Sequence, residues 1–254
     1  MKGVILSINP NVTVVDITHE IPAGDIRAGA FALAASHHFF PKGTVHVAVV
    51  DPGVGSKRIA IAIRTERYTY IGPDNGVLSW GAAQRKQTIK SIHAITNDAY
   101  FLHPVSQTFH GRDIFAPVAA HLTQGVSPRS LGPTLREFVR LPWPEPKRSR
   151  GGIEGEIIYI DRFGNAITNV EAESLKQFGA GCIEMFARGK RLCQVAQFYQ
   201  AVPKNQPVAV PGSRGFLEIA VNGGSAERRL SLRIGDRVLA RGGAVDDFLT
   251  PCFQ

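Results

Sequence analysis

The chain has 254 residues, 44% of them hydrophobic, and a formal charge of +8 from 29 Lys and Arg against 21 Asp and Glu. That length allows one large domain or two modest ones with a sizeable core. No run approaches the roughly 18 apolar residues that span a bilayer, no signal-peptide pattern precedes Asn9-Pro10, and no zinc finger or aromatic–basic platform accompanies the scattered basic residues. A membrane protein and a nucleic-acid binder are therefore not expected, and the expected compartment is the cytoplasm.

In chain order, Val12 to Ile17 is mostly β-branched and reads as a buried strand. Asp25 to Phe39 carries apolar residues at helical spacing, Ile26, Ala30, Leu33 and Ala34, with Asp25 placed to cap the helix. Val45 to Val50 is the next strand, Ile59 to Ile63 and Tyr68 to Ile71 form a pair across the polar turn Arg64 to Arg67, and Ile89 to Ala94 is a further strand. A helix follows over Phe115 to Leu122, with Asp113 as a candidate cap. The alternation predicts an α/β N-terminal domain with a layered, mostly parallel sheet over residues 1–141. Alternating prolines at Pro142, Pro144 and Pro146 exclude helix and central strand, so residues 142–151 read as a stiff linker. Beyond it, Ile153 to Ile160, Ala166 to Val170, Gly181 to Phe186, Leu192 to Val195, Pro207 to Val210, Gly215 to Val221 and Asp236 to Ala240 are short strands separated by glycine and polar turns. They predict a smaller all-β, barrel-like domain over residues 152–254.

Several polar clusters fall where strands end. Asp51 directly follows an apolar strand and is set in Asp51-Pro52-Gly53-Val54-Gly55; ligands usually sit at such strand ends in open α/β sheets. Arg58 opens the next strand and could pair with Asp51, either as a structural ion pair or as part of a site. His110, in Thr108-Phe109-His110-Gly111-Arg112-Asp113, lies at the mouth of a helix and could handle a proton or orient water, or be a plain loop residue. Asp74 and Asn75 make strong turn chemistry and could equally present polar groups beside Asp51. In the second half, Asp161-Arg162-Phe163-Gly164-Asn165 offers an aromatic face and an amide for a flat heterocycle, Arg214 could grip a carboxylate, and Asn222 to Ala226 is a further polar turn. There is no dinucleotide fingerprint, no P-loop and no metal-ligand spacing around His37-His38, so no nicotinamide, no nucleoside triphosphate and no zinc site is expected. Cys182, Cys193 and Cys252 show no zinc or disulfide spacing and read as buried thiols.

Six motifs in one order resemble a known family: Val14-Val15-Asp16-Ile17-Thr18-His19, Val49-Val50-Asp51-Pro52-Gly53, Gly72-Pro73-Asp74-Asn75-Gly76, Thr108-Phe109-His110-Gly111-Arg112-Asp113, Asp161-Arg162-Phe163-Gly164-Asn165 and Ser213-Arg214-Gly215 running to Asn222. The chain is similar over nearly its whole length to the S-adenosylmethionine hydrolases (hydroxide adenosyltransferases), relatives of the fluorinase and chlorinase. The resemblance implies hydrolysis of S-adenosyl-L-methionine (SAM) to adenosine and L-methionine, with SAM as substrate and no cofactor. It also implies a homotrimer whose sites lie between subunits. The family's Asp–Arg–His triad falls on Asp51, Arg58 and His110. Asp74, Asn75, Phe109, Gly111 and Asn222 belong to the implied substrate site. Adenine and ribose would meet Phe163, Asn165, Phe198 and the backbone near Ala226; methionine would meet Asp161, Ser213 and Arg214. The halogenases carry a tyrosine at the place of Asp51 and a serine at that of Gly111, which favours water over a halide here. Alternatives are a SAM-dependent halogenase and a non-catalytic nucleoside or SAM binder. The family's opening strand and its Thr-Asp-Phe-Gly motif would precede Met1, so the sequence starts within the helix that follows.

Overall fold

A computed structural model describes residues 1–83, 87–149, 151–178 and 182–242. Gly181, Cys252 and the rest of 243–254 lie outside the described residues. The chain divides into two compact units, Met1–Pro142 and Trp143–Gln254.

The first unit opens with α1 (Lys2–Ile8) and α2 (Ile26–Ser36). Asp25 caps α2 as expected, its carboxylate accepting from the Ala28 N–H at 2.8 Å. A sheet follows, built from β1 (Val45–Val47), β2 (Ala60–Thr65), β3 (Thr69–Pro73) and β4 (Ile89–Ala94), in the order β1-β3-β2-β4. Strand alternation on β2 divides its residues between two cores. Ile61 and Ile63 pack with Leu33 of α2 and with Leu78, beside α3 (Ser79–Ala82). Ala60 and Ala62 pack with Phe115 and with Val118 of α4 (Ala116–Thr123). Helices therefore cover both faces, and the α/β architecture is present.

Two expectations are corrected. The sheet is mixed rather than mostly parallel: only β1 and β3 run parallel, whereas β2 pairs antiparallel with both β3 and β4. The cause is local. The Thr65–Tyr68 turn, closed by the Thr65 N–H donating to the Tyr68 carbonyl at 2.8 Å, is too short for the crossover that parallel strands require. Val12 to Ile17 is not a strand; it is extended but unpaired, with Val15 59% exposed. A β-branched run becomes a strand only when it has a partner to pack on, and among the described residues this one has none.

The second unit is mostly β. Its strands are β5 (Lys147–Ser149), β6 (Gly152–Ile160), β7 (Ala166–Glu171), β8 (Ile183–Ala187), β9 (Lys190–Gln194), β10 (Pro207–Pro211), β11 (Phe216–Val221) and β12 (Arg237–Gly242). They form one sheet in the order β10-β11-β7-β6-β12-β8-β9, with β5 added on β6. The strand β5 thus lies within the stretch read as a linker. All named pairings are antiparallel, and a bridge between Val195 and Ala209 brings the β9 and β10 ends together into a nearly closed barrel. Ile153, Ile157, Val170, Met185, Leu217 and Val238 fill its core. Cys193 is a buried free thiol, as expected. Cys182 is disulfide-bonded, against expectation.

Candidate active site

Asp51 follows the strand β1 by four residues, and Arg58 precedes β2. Between them the chain makes a tight loop, with Val54 N–H donating to the Asp51 carbonyl at 3.2 Å and Ser56 N–H to the Gly53 carbonyl at 3.1 Å. Gly55 has φ +75°, and a Cβ there would lie 2.3 Å from the Gln107 carbonyl oxygen. Only glycine lets this loop press onto the segment that leads to His110.

The loop ends bring three side chains together. Arg58 Nε donates to Asp51 Oδ1 at 3.0 Å and Oδ2 at 2.9 Å, and Arg58 Nη2 donates to Oδ2 at 2.5 Å. The same Nη2 lies 2.8 Å from His110 Nδ1. The Asp51 and Arg58 side chains are 4% and 11% exposed, so the pair is largely withdrawn from water. The Phe115 ring lies 5.4 Å from the guanidinium carbon, over its face. A guanidinium has donors only, so His110 Nδ1 must accept and its proton sits on Nε2. His110 is therefore held as a neutral ring presenting Nε2–H. Partial burial, then the Arg58 charge, lower its pKa, against the opposing pull of Asp51 and Asp113.

Neighbouring residues brace this arrangement. His110 opens a π-helical turn, Gly111–Phe115, that runs into α4; such turns recur at functional sites. Asp113 is not a helix cap. It is fully buried inside that turn, accepts from the Ser106 N–H at 2.8 Å and pairs with Arg112, holding the 105–108 loop. Asn75 Nδ2 donates to the Val50 carbonyl at 2.8 Å and so fixes the residue before Asp51, while Asp74 instead accepts from Val139 N–H at 2.8 Å. Burial raises the pKa of Asp74. Gly111 is buried, whereas Phe109 is 47% exposed beneath Arg112. A cleft of about 690 Å³ opens onto Asp51, lined also by Ile17, His19, Val49 and Pro52.

The second unit gathers its own group. Asp161 Oδ1 accepts from the backbone N–H of Phe163 and of Asn165, both at 2.9 Å, and Oδ2 accepts from Asn165 Nδ2 at 3.1 Å. This locks a turn that leaves the Phe163 ring 66% exposed. A Cβ on Gly164 would lie 2.0 Å from Ser225 Oγ, and Glu227 N–H donates to the Gly164 carbonyl at 2.9 Å. Phe163, Asn165 and Ala226, the first residue of α5 (Ala226–Leu230), are thereby brought side by side. Phe198 is 58% exposed; Asn222 instead supports the 202–206 loop, donating to the Val202 carbonyl at 2.8 Å. Ser213 and Arg214 are exposed on the β10–β11 turn, with the Arg214 guanidinium 5.8 Å from the Tyr159 ring centre. Sequence reasoning missed Glu218 and Tyr199 beside this turn. The available signal was an acid inside the apolar strand Phe216-Leu217-Glu218-Ile219. Among the described residues no cluster of three or more His, Cys, Asp or Glu could hold a metal, and no helix is long and apolar enough to cross a membrane.

The described residues thus hold an acid–guanidinium–imidazole cluster between β1 and β2 of the first unit and a separate aromatic–amide turn in the β-barrel unit. The models of the SAM hydroxide adenosyltransferase N-terminal and C-terminal domains match residues 1–132 and 155–239, so the chain belongs to that family. An (R)-S-adenosyl-L-methionine hydrolase of Thermus thermophilus is 40% identical, covering 92% of this chain and 90% of its own. A fluorinase of Actinoplanes sp. is 28% identical over 92% of this chain and 89% of its own. The crystal structure of an uncharacterized conserved protein from Thermotoga maritima superposes with a TM-score of 0.88 at 35% identity, over 94% of this chain and 93% of that one.

Proposed function

We propose that the chain hydrolyses SAM to adenosine and L-methionine, and that Asp51, Arg58 and His110 carry the reaction. The observation that supports this most is the single Arg58 Nη2 shared between the Asp51 carboxylate and His110 Nδ1. Water attacks ribose C5′, the C5′–S bond breaks, and its electron pair neutralises the sulfonium to the methionine thioether. No acid is needed, because the sulfonium leaves without a proton. His110 donates Nε2–H to the water oxygen and aims it. Asp51 Oδ1, which among the described residues accepts only from Arg58 Nε, keeps a lone pair for the departing proton. Arg58 fixes both partners and offsets the charge as hydroxide character develops.

Phe163, Asn165, Phe198 and Ala226 would receive the adenosine portion, with Asp161, Ser213 and Arg214 at the amino-acid end. Asp74, Asn75, Phe109, Gly111 and Asn222 complete the proposed substrate site, the first two and the last chiefly through the loops they hold. The assembly proposed is a homotrimer with sites between subunits, acting in the cytoplasm without a cofactor or resident metal.

The test is incubation with SAM in H₂¹⁸O, with separation of the products. Adenosine carrying the label at O5′ is expected, along with unlabelled methionine. A 5′-halo product in chloride or fluoride would show a halogenase, and bound but intact SAM a non-catalytic binder. Asp51→Asn should lower kcat by about 10²–10⁴-fold, with a smaller effect on KM. Equal loss of both would assign Asp51 a structural role.

A further inference from the structure

The β10–β11 hairpin hides an acid. Glu218 is 8% exposed, between the fully buried Leu217 and Ile219. Its Oε2 accepts a hydrogen bond from the Tyr199 hydroxyl at 2.9 Å. Above it lies the turn Gly212–Gly215, closed by Gly212 N–H donating to the Phe216 carbonyl at 2.8 Å and Gly215 N–H donating to the Gly212 carbonyl at 3.0 Å. A Cβ on Gly212 would sit 2.1 Å from Glu218 Oε1, so the turn rests directly on the carboxylate. That turn carries Ser213 and Arg214.

Among the described residues, the charged and titratable groups that face Glu218 come from three segments. They are Tyr199 on the turn Tyr199–Ala201, Arg214 on the hairpin turn, and Asp161 on the loop after β6. Burial raises the Glu218 pKa, as does Asp161, while the Tyr199 hydrogen bond and the Arg214 charge lower it. Its flanking strand partners, Val210 and Ile167, are apolar. Burying an acid this way is costly unless it is paired, and the nearby unlike charge is the guanidinium of Arg214.

Resting on the function proposed above, we infer that Glu218, held by Tyr199, is a positioning residue for the amino-acid end of the substrate. It orients Arg214 for the α-carboxylate. Together with Asp161 it gives the subsite one more negative charge than positive. SAM carries one net positive charge and the product methionine none, so the subsite favours the substrate over the product it must release.

The experiment measures KM, kcat and inhibition by adenosine and by methionine, for wild type and Glu218→Gln, between pH 5 and 8. At pH 8 the variant is expected to raise KM for SAM about tenfold, with kcat within about twofold and adenosine inhibition unchanged. Wild-type KM should rise toward the variant's as pH falls and Glu218 takes up a proton, while the variant's KM stays flat. Inhibition by methionine, relative to KM for SAM, should be stronger in the variant. Tyr199→Phe, which keeps the ring, should raise KM about threefold and decides the matter if Glu218→Gln does not fold. Turnover by wild type with KM unchanged in both variants overturns the inference alone. Adenosine inhibition weakening in step with KM also overturns it, because a general loss of structure would do that. No turnover by wild type overturns the function and this inference together.

Discussion

Acid should attack this protein through two histidines, and a substitution at His46 separates them. His46 lies on β1, the strand that leads to Asp51, and is 3% exposed. Its ring stacks on Tyr70 at 5.3 Å and meets Tyr68, Phe40 and His37 edge-on at 5.0, 5.4 and 6.2 Å. Its Nε2 has no hydrogen-bond partner among the described residues. Burial, followed by the charge of neighbouring His37, brings its pKa down from 6.5 to about 4. The unfolded chain therefore binds a proton that the folded one refuses. The stability this histidine contributes is whole above pH 6.5 and is lost as pH falls toward 4. At about 1.4 kcal/mol per pH unit, the loss over that window is about 3 kcal/mol, a large share of a typical domain's stability. His46→Phe keeps a ring against Tyr70 and removes the titration. Urea unfolding should be followed by Trp80 fluorescence in a Trp143→Phe background, so that the reporter lies in the N-terminal unit. The gap between wild type and His46→Phe should change by about 3 kcal/mol in the variant's favour between pH 7.5 and 4. Parallel stability curves would refute the reasoning. On the proposed mechanism, in which the neutral ring works, the activity limb that survives in His46→Phe reports His110, whose lowered pKa places it below pH 6.5.

Two further substitutions probe the cluster itself. Arg58→Lys keeps the charge but cannot span the Asp51 carboxylate and His110 Nδ1 together, so kcat should fall about 10²-fold; wild-type kcat would show that the bridge does not matter. Gly55→Ala places a methyl 2.3 Å from the Gln107 carbonyl at φ +75°. The left-handed backbone alone costs about 1–2 kcal/mol, so both Tm and kcat should drop, and an unchanged kcat would detach this contact from the site.

Much of this fold was legible because its signals are local. Seven of the eight strands named in the β unit stand out through glycine-punctuated apolar runs, and Asp25 announces α2 by its place alone. The direction of the first sheet was hidden because parallel or antiparallel pairing depends on which strands meet, not on their composition. Val12 to Ile17 misled for the same reason. In the site, Asp51 and Arg58 could be read as a pair from their places on either side of one glycine loop. That His110 joins them depends on the π-helical turn and the Gly55–Gln107 contact, neither of which has a composition signal. Asp113 looked like a cap because polar residues before helices usually are; burial within the turn made it a brace. Glu218 was passed over because one acid in a strand is ordinarily taken to face solvent, and only the barrel shows that it does not.

The cluster also bears on the choice of nucleophile. On the proposed reading, the reacting position lies between a donor, His110 Nε2–H, and an acceptor, the free lone pair of Asp51. Water satisfies both at once, accepting from the one and donating to the other. A halide only accepts. It would gain the imidazole hydrogen bond but face the Asp51 carboxylate, whose charge Arg58 already balances, leaving no positive charge to receive the anion. Fluorinases are relatives of this chain, so the scaffold itself does not select the nucleophile. On that same reading the carboxylate at position 51 supplies the distinction, because it disfavours an anion and takes a proton from a neutral nucleophile.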